Sequence, residues 1–133
     1  MVLRLTTAAA VLVSAAVHLW LWFDGFAEID VVGPLFLLNA AAGAAITVAV
    51  VTWRHWLPLL AAVGFGAGTL GAFLLSTTVG FFGVNERWVG WPVWTSAISE
   101  AVAVVAGLAA LLAERRSGVE LEERAPRRRA HLD

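Results

Sequence analysis

His18, Asn39, Thr77, Ser96 and Glu100 are polar side chains set inside long apolar runs. A polar group costs energy in lipid, so it normally faces a bundle interior or a water-filled cavity. A carboxyl and an imidazole in one layer can exchange a proton or hold a ligand. The same groups can instead form an interhelical hydrogen-bond cluster, at about 0.6 kcal/mol per bond. Glu100 is the deepest acid of the set and stays costly as a carboxylate unless a cation or hydrogen-bond donors reach it. His18 is its expected partner.

Other chemistries are poorly served. The chain has no cysteine, which excludes disulfides, thiolate metal sites and thiol redox chemistry. A metal would need His18, Glu100 and Asp24 to converge, and His55 and His131 belong elsewhere in the chain. A haem held between two histidines is unsupported for the same reason. Gly66 to Gly71 spell GxGxxG, but the dinucleotide fingerprint requires a strand before it and a helix starting at it, whereas this stretch lies within a span. No Ser-His-Asp pattern, phosphate loop or zinc spacing occurs. No catalytic residue, cofactor or metal is therefore assigned, and an enzyme ranks below a binding role.

The elements that must position the polar set are membrane helices. The 133 residues are 60% hydrophobic and 14% charged, with a mean hydropathy of +0.82, far too apolar for an ordinary soluble domain. Apolar runs at 5–23, 34–53, 57–82 and 91–113 are each long enough to span, at about 20 residues per crossing. The expected fold is all-α, a four-helix transmembrane domain over 1–113 with short loops and a charged tail over 114–133. The first run has the outline of a signal peptide, but it continues apolar to Phe23 and ends in aromatics, so it reads as a retained anchor.

Orientation is read from the arginines, since basic residues beside spans are retained in the cytoplasm. Arg4, Arg54, Arg115 and Arg116 fall on one side and Arg87 alone on the other, which places both termini in the cytoplasm. Trp20, Trp22, Trp88, Trp91 and Trp94 then mark the outer interface, and Trp53 and Trp56 the inner one. With these spans, His18, Asn39, Thr77 and Ser96 each lie about five residues from an outer helix end, roughly 7 to 8 Å deep, with Glu100 one turn further in.

Helical spacing gives each polar residue a small-residue seam. Thr7, Val11, Ser14 and His18 form one stripe; Asn39, Gly43 and Thr47 a second; Ser96, Glu100, Ala103 and Gly107 a third. In the third run Gly64, Gly68 and Gly71 read as helix-packing positions, the first two in small-xxx-small spacing. Aligning Val32-Gly33 with Val89-Gly90 also aligns Asn39 with Ser96, a short likeness between halves that Pro34 and Pro92 explain as helix-start chemistry.

The outer loops carry Asp24, Glu28 and Asp30 on one side and Glu86 with Arg87 on the other. They read as solvated charge, with any ion pair between them weak. His55, beside Arg54 and Trp56 in a tight inner turn, reads as an interface residue. The tail mixes Glu and Arg with Pro126 and too little apolar surface to order itself, and Arg127, Arg128 and Arg129 are too short a run to bind lipid headgroups strongly.

With His18-Leu19-Trp20-Leu21-Trp22-Phe23-Asp24-Gly25 and Gly33-Pro34-Leu35-Phe36-Leu37-Leu38-Asn39 in view, the chain resembles small bacterial four-helix integral membrane proteins. The resemblance covers the membrane portion, excludes the tail, and implies the fold and a bacterial plasma-membrane location, but no activity. Two functions remain. The favoured one is a structural or accessory module that packs with itself or with a larger membrane complex. The alternative is a small transporter or channel component using Glu100 and His18 in a cavity open to the outside. The bilayer is the expected partner in both, and nucleic acid in neither.

Overall fold

The computed structural model describes residues 1–129, and the end of the charged tail, with His131, lies outside the described residues. Four helices follow one another: α1 Val2–Phe23, α2 Val32–Thr52, α3 Trp56–Thr78 and α4 Trp91–Arg129, with a 3₁₀ turn at Phe26–Glu28. All four are long and apolar enough to cross a membrane.

Local chemistry sets the helix ends. Gly25, at φ +123, breaks the chain after α1, and the Pro34 ring is accommodated in the first turn of α2, where no intrahelical donor is lost. His55 caps α3 by accepting the Leu57 amide on Nδ1 at 3.2 Å, so the residue expected only to sit at an interface also starts a helix. α3 was expected to run to Phe82 but stops at Thr78. The amides of Val79 and Gly80 both return to the Leu75 carbonyl, at 3.0 and 2.9 Å, and Gly80 at φ +88 turns the chain out of the helix. The next residues form a tight turn closed by a Phe81–Val84 bridge.

The tail expectation is also corrected. Residues 114–129 continue α4 as helix rather than leaving it. An existing helix needs only propagation, not a new nucleus, and Arg116, Glu120 and Arg124 stand at the i, i+4 spacing that favours it. The part of the reading that concerned burial stands: residues 114–125 are exposed throughout. With 39 residues, α4 is about 58 Å long, roughly twice the hydrocarbon thickness of a bilayer.

α1 is the central helix. It packs against α2 and α4, α4 packs also against α3, α2 and α3 touch less, and α1 and α3 touch less still. The core is built from small side chains, including Ala8, Val11, Val50, Leu59, Ala62, Ala103 and Ala110, which let helix backbones approach closely. At Gly66 an added Cβ would stand 2.8 Å from the Glu100 carbonyl oxygen, and at Gly43 it would stand 2.6 Å from the Ala15 Cβ. Large apolar side chains such as Leu12, Leu38, Val48, Leu60, Val105 and Leu108 point outward, the surface a lipid-facing bundle requires.

The expected packing positions Gly64, Gly68 and Gly71 do not serve within the chain, because a Cβ at any of them would meet no atom within 4 Å. Gly66, on the neighbouring face of the same helix, makes the close approach instead.

The opposite end of the bundle, where the N-terminus meets the α2–α3 turn, is held by Arg4. Its guanidinium donates to the Val50 carbonyl at 2.8 Å, to the Trp53 and His55 carbonyls at 2.6 and 2.8 Å, and to Glu114 at 2.8 Å. Arg4 is 4% exposed. The carbonyls at the end of α2 have no intrahelical donor, and a forked side chain with five N–H groups satisfies several of them together.

Candidate functional site

At the end of the bundle that carries the Phe26–Glu28 turn and the α3–α4 loop lies a cavity of about 420 Å³. Each helix contributes to it: His18 from α1, Asn39 from α2, Thr69 and Ser76 from α3, and Ser96 and Glu100 from α4. Phe26, Phe36, Phe73 and Phe81 supply much of the apolar wall, and Glu86 reaches it from the loop. Exposed Leu35 of α2 and exposed Gly68 of α3 also belong to the lining.

Four of the five residues expected to form one polar layer therefore line one space. Thr77 does not: its hydroxyl donates to the Leu74 carbonyl at 3.0 Å on its own helix, and it is absent from the lining. Ser76 takes its place. The Ser76 hydroxyl, 4% exposed, donates to the Val84 carbonyl and accepts the Glu86 amide, both at 3.0 Å. It fastens the α3–α4 loop over the cavity.

The expected direct pairing of His18 with Glu100 is replaced by a relay through Ser14. His18 Nδ1 lies 2.8 Å from the Ser14 carbonyl. A carbonyl can only accept, so Nδ1 carries the hydrogen and Nε2 of the neutral ring the lone pair. The Ser14 hydroxyl donates to Glu100 Oε1 at 3.0 Å and lies 3.5 Å from His18 Nδ1. The ring of His18 also meets Phe36 edge-on at 4.9 Å, and Phe36 stacks on Phe26. Ser14 is the i−4 neighbour of His18 on the same stripe, and that spacing is the signal by which the sequence marks it.

Buried polar atoms without a partner cost free energy and are rare. Among the described residues, the buried side-chain atoms left without one are Asn39 Oδ1, Ser96 Oγ and Glu100 Oε2. All three belong to residues that line this cavity. Asn39 uses its amide nitrogen to reach Thr69 Oγ1 at 2.9 Å, which leaves the oxygen free. Glu100 is 1% exposed and has one oxygen engaged and one open.

The remaining loop acids do not join in. Asp24, Glu28 and Asp30 are exposed and are absent from the lining, as is Arg87. The loops are not joined by an ion pair among the described residues. Glu86 is the exception in position, and partial burial raises its carboxyl above the ordinary glutamate value while the Arg87 amide pulls it back. No three His, Asp or Glu side chains among the described residues gather closely enough to share a metal.

No protein-family model, curated protein or solved structure matches the chain.

Proposed function

We propose that the chain is a small multi-pass membrane protein that binds a small solute in the cavity between α2, α3 and α4, as a binding or transport component of the cell membrane. The observation that carries this reading is that Asn39, Ser96 and Glu100, whose Oδ1, Oγ and Oε2 are unpartnered, all line one space of about 420 Å³. Ligand sites of small molecules occupy roughly 300 to 1,000 Å³, mostly apolar with a few convergent polar groups. A bundle held only by interhelical hydrogen bonds has no use for such a void. The distribution of arginines supports a cytoplasmic position for both termini, and the cavity then opens away from the cytoplasm.

The test is thermal unfolding of the purified chain in micelles against a panel of small solutes of every charge. Binding to the folded state alone raises stability by mass action. A ligand of the cavity raises Tm of the parent and leaves Ala72→Trp and Ser96→Leu, which fill the space, unmoved. If no solute shifts the parent, or all three chains shift alike, the reading fails. Transport is a separate step of the proposal, and lack of solute or proton flux in vesicles holding the parent removes it.

The self-association reading keeps one observation in its favour. A Cβ at Gly64 would meet open space, where a helix of a second copy has room to approach.

A further inference from the structure

The unpartnered groups share a chemical character that narrows the ligand. Asn39 Oδ1 and Glu100 Oε2 are acceptors, Ser96 Oγ can accept, and His18 Nε2 of the neutral ring is an acceptor as well. The acids in the lining are Glu100 at the deep end and Glu86 in the loop, and no arginine or lysine joins them among the described residues. Between them stand Phe26, Phe36, Phe73 and Phe81, aromatic rings whose faces attract a cation through their quadrupoles. An anion would meet two carboxyls and no positive charge. A neutral apolar solute would leave the acceptors as they are, at the full cost of unpaired buried groups.

We propose that the ligand of this cavity is an organic cation: an ammonium group that donates to Glu100 Oε2, Ser96 Oγ and Asn39 Oδ1, carried on an apolar body that packs against the phenylalanines. An ammonium has three donors, and three residues of the lining hold an unpartnered oxygen. Glu86, near the loop end, draws the cation in, and Glu100 holds it. The inference rests on the cavity being a binding site, and it adds the charge and hydrogen-bonding class of what binds.

The experiment uses the full chain in detergent micelles, with protein-free micelles as reference, and three probes followed by fluorine NMR: para-fluorophenethylammonium, the alcohol of the same shape, and the corresponding carboxylate. The ammonium is expected to bind saturably and at least about tenfold more tightly than the alcohol, with the carboxylate weakest. Glu100→Gln, close in shape and still able to accept from Ser14, is expected to lower ammonium affinity about tenfold while leaving the alcohol unchanged. Glu86→Gln slows association of the ammonium, and Glu120→Gln, on the exposed end of α4, serves as the unaltered control. Equal binding of alcohol and ammonium, or indifference of the ammonium to Glu100→Gln, overturns the cation assignment and leaves the cavity a site for neutral solutes. Absence of saturable ammonium binding overturns it also. The broader reading falls on a different result, the lack of any solute whose stabilisation the cavity-filling variants abolish.

Discussion

Ser14 Oγ donates to Glu100 Oε1 at 3.0 Å, joining α1 to α4 across 86 positions of sequence. Both side chains are within 1% of full burial. The bond leaves Oε2 as the free acceptor and, through the His18 contact to the same serine, ties the imidazole to the carboxyl without direct pairing. Ser14→Ala is therefore predicted to destabilise the bundle by about 1 to 2 kcal/mol, because it strands the second oxygen of a buried carboxyl. Glu100→Gln retains an acceptor for Ser14 and is expected to stay within about 1 kcal/mol of the parent. Reversible unfolding in mixed micelles measures both. Equal losses from the two variants contradict this assignment of the bond.

Much of this layer is legible in the sequence. Polar residues in apolar runs are conspicuous, and the helical period is enough to align Thr7, Val11, Ser14 and His18, all of which are buried. What the period does not contain is where a helix stops. Placing the end of α3 at Phe82 selects Thr77 as the residue at the common depth, but Gly80 and the Leu75 carbonyl end the helix at Thr78, and the inward position belongs to Ser76. Regular spacing also does not say which face meets a neighbour. Gly64 and Gly68 have the better small-xxx-small pattern, yet the close contact falls at Gly66. The Glu86 position depends on a turn whose path is set by Ser76, a tertiary bond with no local signature.

Arg4 is the clearest case of a residue with a second role. As a basic residue near a span end it votes on topology, and a long cationic side chain there is expected to snorkel to the headgroups. Instead it is buried among the carbonyls of Val50, Trp53 and His55. Arg4→Ala removes these bonds together and is predicted to cost roughly 2 to 4 kcal/mol. Glu114→Gln is predicted to cost under about 1 kcal/mol, since the Glu114 side chain is 46% exposed and its ion pair is screened. Unfolding midpoints of the two variants in the same micelle distinguish a carbonyl clamp from a simple salt bridge. Comparable losses would show that the ion pair dominates.

Gly66 and Gly64 offer a comparison within one helix. A methyl at Gly66 would press on the Glu100 carbonyl oxygen at 2.8 Å and on Val104 Cγ2 at 3.0 Å, and a backbone oxygen cannot swing aside. Gly66→Ala is predicted to destabilise by about 1 to 3 kcal/mol. Gly64→Ala meets nothing within 4 Å and is predicted to be neutral or to gain up to about 1 kcal/mol from helix propensity. Unfolding of each monomer supplies the comparison. Gly64→Leu adds the test of self-association: if a second copy docks on that face, cross-linking yield drops while monomer stability does not.

Ser76 links the fold to the cavity most directly, because one hydroxyl holds both Val84 and Glu86 and so places the loop carboxyl in the lining. Without it the Phe81–Val84 turn remains closed by its own backbone bonds at 2.9 Å, but its attachment to α3 is lost. Ser76→Ala is predicted to cost about 1 to 3 kcal/mol locally and to accelerate hydrogen exchange at the Glu86 amide by about tenfold or more, with exchange in the α1 core unchanged. Because a loosened loop no longer fixes Glu86, ligand association should slow in the same variant while the affinity difference between parent and Glu100→Gln persists. Ser76→Thr, which keeps the hydroxyl, should restore the protection of the Glu86 amide. Equal exchange in Ser76→Ala and the parent would mean that the loop is held by its aromatic contacts, of which Phe73 against Trp88 at 4.7 Å is the nearest candidate.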